Sequence, residues 1–204
     1  MSSELIRLNR NDLLVAAAVY ARAFLTDPYT TYSLKDTKRR PHQLYYLMAL
    51  TLRYAWRYGE VYATPGMEGA AAWMPPGNGR ESTWRMIRVG ALPVIWKVGP
   101  AAIRSYLQVE KMAHALHMQY APEPHWYLSQ LGVEPHLQGR GYGQQVLSPM
   151  LRTIDQQGLA VYLETLNPKA IPFYQKLGFL ICEEVCLPDD GPPMWAMRRE
   201  PKRS

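Results

Sequence analysis

The chain has 204 residues, of which 48% are hydrophobic and 20% charged, a composition that fits one globular domain with a sizeable core and excludes disordered and fibrous classes. No apolar run approaches the ~20 residues of a membrane span, and two cysteines, Cys182 and Cys186, are too few for a disulfide framework, so we expect a cytoplasmic protein. The net charge of +6 is spread along the chain, and its longest basic run, residues 38–40, is too short to predict a nucleic-acid partner.

Apolar periodicity and turn residues predict a series of helices and strands. In chain order these are a strand at 5–8, helices at 13–24 and 41–57, strands at 60–64 and 68–74, helix over 81–118 with a break near Gly99-Pro100, a strand at 125–133, a helix at 142–157, a strand at 159–165, a short helix at 170–177, and strands at 179–185 and 194–199. We interpret Asp27-Pro28 as the end of the first helix. The order predicts one mixed α/β domain.

Three alternating glycines, Gly139, Gly141 and Gly143, stand between a predicted strand and a predicted helix. A P-loop would need a lysine and then Ser or Thr after the last glycine, and the dinucleotide fingerprint would need a glycine where Gln144 stands. Glycines at the start of a helix allow a phosphate to approach backbone N–H groups at the positive end of the helix dipole. The pattern predicts a phosphate cradle, and the alternative is a tight turn that requires positive φ.

The pattern Gln138-x-x-Gly141-x-Gly143, between Leu131-Gly132-Val133 and Leu147, resembles the acetyl-coenzyme A signature of the GNAT N-acetyltransferase superfamily. The segment LETLNPKAIPFYQKLGF, residues 163–179, is similar to the strand and helix that follow the signature in this family.

Three shorter segments resemble more specifically the puromycin N-acetyltransferase branch: Leu147-Ser148-Pro149, Leu163-Glu164-Thr165 and Pro172-Phe173-Tyr174. The resemblance is thin over residues 29–60 and 78–122, where an acceptor pocket would form.

The resemblance implies an α/β fold in which residues 1–204 form one GNAT domain, with a mixed central sheet flanked by helices. Two splayed parallel strands, at 126–133 and 160–165, would hold coenzyme A, and we expect a bulge near Gly132 to separate them. The coenzyme-binding core would cover about 60–200, and the acceptor-pocket helices about 12–58 and 81–118.

Acetyl-coenzyme A, or another acyl-coenzyme A, is the co-substrate that the resemblance implies. The expected contacts lie on the first splayed strand, on the glycine turn and at the end of the second strand: Leu131, Gly132, Val133, Gln138, Gly139, Arg140, Gly141, Tyr142, Gly143, Gln144 and Asn167. We expect no metal, because His114 and His117, three residues apart, have no third ligand in view.

Two residues are candidates for proton transfer in the attack of an amine on a thioester. Tyr174 would protonate the leaving thiolate, as the resemblance implies, and its alternative role is packing with Phe173. Glu164 would take the proton of the amine, directly or through water, and its alternative is a solvated or ion-paired glutamate.

The acceptor is the least defined part of the prediction. The 14 tyrosines and 6 tryptophans, against 3 phenylalanines, favour an amphipathic or aromatic amine such as a puromycin-like antibiotic, a peptide or another natural product. The candidate contacts are Phe24, Tyr29, Tyr32, Trp73 and Met74. We expect a monomer or homodimer with no nucleic-acid or membrane partner. The alternatives are transfer of a longer acyl group, or an acyl-coenzyme A sensor without catalysis.

Overall fold

The computed structural model describes residues 4–78 and 82–202. Within them the elements are, in chain order, β1 (Ile6–Arg7), α1 (Leu13–Ala23), α2 (Pro28–Ser33), α3 (Arg40–Tyr58), β2 (Glu60–Ala63), β3 (Gly69–Met74), α4 (Thr83–Arg88), α5 (Ala91–Val98), α6 (Pro100–Tyr120), β4 (His125–Val133), α7 (Tyr142–Gln156), β5 (Ala160–Thr165), α8 (Ile171–Lys176), β6 (Leu180–Cys186) and β7 (Pro193–Arg199). None of the described helices is long and apolar enough to cross a bilayer.

The strands form one mixed sheet in the order β1-β2-β3-β4-β5-β7-β6, in which β4 and β5 are parallel and the other neighbours antiparallel. This confirms the predicted fold class. The ladder between β4 and β5 runs only from His125–Ala160 to Tyr127–Tyr162. Beyond it the two strands separate, which confirms the predicted splayed pair.

The bulge lies at Ser129, and the prediction that placed it near Gly132 is wrong. On β3, Ala72 is opposite Gln130 but Trp73 is opposite Leu128, so Ser129 is the extra residue. Its hydroxyl donates to the Ala72 carbonyl over 3.1 Å. A bulge bends and twists its strand, so β4 turns away from β5 just beyond the last pair of the ladder.

Gly132 instead makes room for helix α1. A Cβ atom at this position would lie 2.4 Å from Cδ1 of Tyr20, which is itself fully buried. The glycine therefore allows an aromatic ring to pack directly on the backbone of β4.

Two helical predictions need correction. Helix α1 ends at Ala23, before Asp27, so the prediction that Asp27-Pro28 ends it is wrong. The Asp27 carboxylate accepts a hydrogen bond from the Tyr29 N–H (3.0 Å) and Pro28 takes the first helical position, so the pair starts α2. The predicted helix over 81–118 is three helices, because Gly90 as well as Gly99 adopts positive φ. Its predicted start at residue 81 lies outside the described residues.

Helices cover both faces of the sheet, and alternate residues of β5 show which helix lies on which face. Val161 and Leu163 pack in the cluster under α7 and α8. Tyr162 packs with Val109 and Leu116 of α6 on the opposite face. The gap between β4 and β5 therefore opens toward α7 and α8 on one side and toward α6 on the other.

We expect Gly132→Ala to lower the free energy of unfolding by about 1–3 kcal/mol, because the new methyl group would overlap the Tyr20 ring in a packed interior. Urea unfolding followed by circular dichroism measures the change. In a Tyr20→Leu background the same substitution should cost less. A Gly132→Ala protein as stable as the wild type would contradict the close approach.

Candidate functional site

The glycine turn after β4 combines positive backbone angles with open space. Gly139 and Gly141 have φ of 76° and 90°, and an added Cβ at either position would meet no atom within 4 Å. Gly143 has another role, because a Cβ there would lie 3.2 Å from Cζ of Phe173 on α8. The turn therefore needs glycine for its conformation, as the alternative interpretation states, and it also leaves its backbone accessible.

Helix α7 begins at this turn with its amide groups available. Its N-cap residue is Gly141, no side chain caps the helix, and its first turn contains no acidic residue. The first intrahelical bond runs from the Gln145 N–H to the Gly141 carbonyl (2.9 Å), so the amides of residues 142–144 have no acceptor inside the helix. A phosphate or pyrophosphate group fits such a helix start.

Three other predicted coenzyme contacts, Val133, Gln138 and Asn167, form hydrogen bonds within the protein. The Val133 carbonyl accepts a hydrogen bond from Nε2 of Gln138 (3.2 Å). Asn167 donates from Nδ2 to Asp27 (3.1 Å) and accepts from the Lys169 N–H (3.0 Å). Asn167 thus connects the end of β5 to the start of α2, and Gln138 connects the glycine turn to β4.

Tyr174 lies on α8, close to Asp27 and Tyr20. Its ring packs edge-on against Phe173 (5.2 Å between centroids) and Phe179 (5.7 Å). Burial, and next the charge of Asp27, raise the pKa of Tyr174. The ring packs as the alternative interpretation states, while the raised pKa keeps the phenol in its proton-donating form.

Asp27 itself is a second titratable group at this point. Burial raises its pKa, while hydrogen bonds from the Tyr29 N–H and from Asn167 oppose the rise. The hydroxyl of Tyr20, which is buried, has no hydrogen-bond partner among the described residues.

Glu164 lies on the α6 face of β5, two residues beyond the last rung of the parallel ladder. Its Oε1 is buried and has no hydrogen-bond partner in the described part of the chain. Burial raises the pKa of Glu164 to about 8, the Tyr127 hydroxyl opposes that rise by hydrogen bonding, and the nearby Glu110 adds to it. The carboxyl group forms no ion pair with any described residue.

Glu110 on α6 is a carboxyl group near Glu164 that sequence analysis did not single out. It accepts a hydrogen bond from the Tyr29 hydroxyl (3.0 Å), and burial raises its pKa. A signal exists in the sequence: Tyr106, Val109 and Leu116 form the buried stripe of α6, and position 110 lies on its border.

The predicted acceptor residues do not form one group. Tyr29 joins Glu110, and its ring packs edge-on against Tyr106 at 5.9 Å. Trp73 and Met74 are both buried, but in the separate clusters under α7 and under α1 and α3, as expected for successive strand residues. Phe24 packs against Tyr20 (5.7 Å) and borders the same cluster as Met74 and Tyr29. Tyr32 donates to the Pro188 carbonyl (3.0 Å) and borders the cluster under α6 together with Tyr29.

The buried histidine pair is not the pair that the sequence suggested. His114 is exposed, and His117 contacts His125 instead, with 2.6 Å between their Nε2 atoms. Nδ1 of His125 lies 2.6 Å from the Glu123 carbonyl, which can only accept, so Nε2 of His125 accepts from His117. Burial lowers the pKa of His117 to about 3, and burial also lowers that of His125, so both rings are neutral.

The neutral histidine pair packs against two tyrosines of the parallel ladder. The His117 ring stacks on Tyr162 (4.7 Å between centroids) and packs against Tyr127 at the same distance. Among the described residues no group of three His, Cys, Asp or Glu side chains could hold a metal ion.

Comparisons with known proteins agree with this geometry. Residues 94–179 match the model of the acetyltransferase (GNAT) family. An uncharacterized N-acetyltransferase of Schizosaccharomyces pombe is 27% identical over 209 residues, a match that covers 96% of this chain and 83% of the relative. The chain is thus similar to the GNAT family over residues 94–179 and to this relative over almost all of its length.

Solved structures show the same GNAT fold. The histone acetyltransferase HPA2 and related acetyltransferase of Corynebacterium glutamicum superposes with a TM-score of 0.67 and 21% identity, over 100% of this chain and 99% of the other. The C-terminal condensation domain of Ebony, in complex with beta-alanyl-dopamine, gives a TM-score of 0.68 and 10% identity, over 97% and 98%. The roles of single residues stay predictions.

Proposed function

We propose that this protein transfers an acetyl group from acetyl-coenzyme A to an amine. The observation that carries the proposal is the gap between β4 and β5. The glycine turn and Tyr174 lie on the face of the sheet that α7 and α8 cover. The carboxyl group of Glu164 lies on the opposite face, which α6 covers. An acyl donor and an amine could therefore meet from opposite sides of the sheet.

The residues at the gap fit coenzyme A. Gly139 and Gly141 leave open space in front of the free amides of α7, which suits a pyrophosphate. Beyond the parallel ladder, the edge of β4 around Leu131 and Val133 has no strand neighbour in β5 and could bind an extended amide-containing arm. When bound, acetyl-coenzyme A supplies the activated thioester.

Each proton has a defined place in the proposed reaction. The amine nitrogen bonds to the thioester carbon and the carbon–sulfur bond breaks, so the amine loses one proton and the thiolate gains one. Glu164 accepts the proton of the amine, directly or through water, and Tyr174 donates the proton of its hydroxyl to the thiolate. Backbone N–H groups of β4 next to the gap would stabilise the charge that develops on the carbonyl oxygen.

The shifted pKa of Glu164 suits its role as a base. A carboxyl group with a pKa of about 8 binds protons well enough to act as a base near neutral pH. The pKa of Tyr174 is raised above its usual value, so this phenol is protonated when the thiolate leaves. Asp27, which lies beside Tyr174, is the second candidate for the base.

An amphipathic aromatic amine is the acceptor class that we propose. Aromatic rings of Tyr29, Tyr106 and Tyr127 lie near the two carboxyl groups on the α6 face. The motif resemblance to puromycin N-acetyltransferase and the aromatic ligand of the Ebony domain both support such an acceptor. A puromycin-like antibiotic, an aromatic peptide amine or a related natural product would each satisfy this chemistry.

We expect kcat/KM to rise with pH through an ionisation near pH 8, as Glu164 loses its proton. For two acceptors whose amines differ in pKa, the pH profiles of kcat/KM should share this ionisation of the enzyme and should differ only in the ionisation of the acceptor amine. Glu164→Gln should lower kcat/KM about 10²-fold or more and remove the shared ionisation. If the variant retains it, the base lies elsewhere, and Asp27 is the next residue to replace.

The same substitution has a second readout that does not depend on turnover. The pKa of Glu164 rises from 4.5 to about 8 on folding, so the folded state binds more protons than the unfolded state between these values. This extra proton binding stabilises the folded state. Its contribution to the free energy of unfolding is complete below pH 4.5 and is lost as the pH rises through about 8. As the pH rises across this range, the free energy of unfolding of the wild type should therefore fall relative to that of Glu164→Gln.

Replacing Tyr174 by Phe removes one hydroxyl and keeps the ring against Phe173 and Phe179. We expect kcat to fall by about tenfold to a thousandfold, because the thiolate loses its proton donor, while calorimetry shows unchanged coenzyme A affinity. Tyr120→Phe is the matched control, because the Tyr120 hydroxyl donates to Glu183 away from the gap. A normal kcat in Tyr174→Phe would leave Tyr174 with a packing role only.

A further inference from the structure

Three successive helices, α4 to α6, expose apolar side chains to solvent. Thirteen large hydrophobic side chains are exposed in residues 4–78 and 82–202, and six of them lie on these helices: Trp84, Ile87, Leu92, Ile95, Trp96 and Leu107. Trp96 is 86% exposed and Trp84 67%. Single exposed apolar residues are ordinary, but a concentration of them marks a surface that a partner covers. We call these residues and the basic residues beside them the α4–α6 surface.

Helical spacing gathers these side chains on one side of each helix. In α5 the exposed residues Leu92, Ile95 and Trp96 follow the i, i+3, i+4 spacing of a single face, while the opposite face packs in the cluster under α1 and α3. In α4, which contacts α5, Trp84 and Ile87 have the same spacing. A shallow groove joins Ile95 to the outer stripe of α6, which consists of Pro100, Ile103, Arg104, Leu107, Gln108 and Lys111. The surface is therefore continuous from α5 to α6.

The exposed charges of this surface are all positive. Four cations are exposed on it: Arg88, Lys97, Arg104 and Lys111. None of them forms an ion pair with a carboxylate of the described chain, and residues 82–109 contain no aspartate or glutamate. Glu110, the acidic residue of α6, accepts from the Tyr29 hydroxyl instead. The α4–α6 surface thus combines apolar side chains with positive charge that no carboxylate contacts.

This charge selects among the partners that could cover the surface. A second copy of the chain related by a two-fold axis would bring the cations against themselves, because such an interface pairs the same surface on both partners. An anionic partner meets them with opposite charge. Among anionic partners, the headgroup region of a bilayer accommodates protruding indole rings without a matching pocket, and tryptophans concentrate at that depth. Apolar and aromatic residues beside lysine and arginine are also typical of helices that lie in the plane of a membrane.

We propose that the α4–α6 surface attaches this protein to membranes that contain anionic lipids. Trp84, Trp96 and Leu107 enter the headgroup layer, and the basic side chains contact lipid phosphates. The sequence predicts no membrane partner because it lacks a long apolar run, but attachment of this kind needs only an exposed apolar and basic face. The inference goes beyond the proposed acetyl transfer and does not depend on it.

Co-sedimentation of the full chain with lipid vesicles tests the proposal. Vesicles of phosphatidylcholine alone are compared with vesicles of phosphatidylcholine mixed with phosphatidylglycerol. We expect binding to the mixed vesicles to be at least tenfold tighter, because each cation near an anionic surface adds to the affinity. Added salt should release the protein from the mixed vesicles, since it screens these charges.

Two pairs of double variants separate the apolar contribution from general surface effects. Trp84→Ser with Trp96→Ser should weaken binding to the mixed vesicles at least tenfold, because the indole rings no longer enter the headgroup layer. The matched control is Leu14→Ser with Leu180→Ser, which removes two side chains of similar exposure (58% and 72%) on α1 and β6. This control should bind as the wild type does. Circular dichroism checks that each variant is folded.

The charge contribution has its own matched pair. Arg104→Gln with Lys111→Gln should reduce the preference for phosphatidylglycerol about tenfold. Arg152→Gln with Lys176→Gln removes two exposed cations from α7 and α8, on the other face of the sheet, and should keep the preference.

The outcomes decide the proposal in either direction. A wild type that binds neither kind of vesicle, or both equally, would overturn it, and so would controls that weaken binding as much as the α4–α6 variants do. A wild-type dimer in sedimentation equilibrium that the tryptophan variant dissociates, without vesicle binding, would assign the surface to a second copy and contradict the attachment. Vesicle binding by a protein that acetylates no amine would still support the inference, which therefore fails separately from the proposed function.

Discussion

The short parallel ladder between β4 and β5 is the constraint on which the other features depend. The strands pair from His125 to Tyr127 and then separate, while the rest of the sheet continues on both sides. Backbone N–H and C=O groups in a protein interior are almost always paired, so strand edges that separate inside a sheet need a ligand or water as partner. The gap lies between the glycine turn on one face of the sheet and the Glu164 carboxyl group on the α6 face.

Long-range contacts hold the gap open. The extra residue Ser129 twists β4 away from β5, and the Tyr20 ring packs on Gly132 where any side chain would collide. Below the gap, the neutral pair of His117 and His125 packs against Tyr162, in the last rung of the ladder. The site is thus supported by packed aromatic rings on the α6 face.

Much of the fold could be predicted from sequence because its signals are local. Apolar periodicity predicts each strand, and the glycine pattern predicts where α7 begins. The bulge at Ser129 has no local sequence signal, because the register with β3 determines it. The role of Gly132 depends on Tyr20, which is more than a hundred positions away. Asp27-Pro28 is ambiguous in sequence, because such a pair can follow one helix or start the next, and here it starts α2.

The site could be predicted only in part for a similar reason. The resemblance directs attention to Glu164, Tyr174 and the glycines, which lie in its motifs. Glu110 lies where the resemblance is thin, and its place near Glu164 appears only when α6 packs over β5. Trp73 and Met74 share a strand but point to opposite faces, so composition alone groups residues that the sheet separates.

The central claim is that acyl-coenzyme A binds in the gap between β4 and β5, and amide hydrogen exchange resolved by residue tests it most directly. Addition of acetyl-coenzyme A should slow exchange at the β4 edge, residues 128–133, and in the first turn of α7, residues 142–144. The amides of β6, at the far edge of the sheet, should exchange as before. Protection confined to other segments, or no change at the edge of β4, would contradict the account.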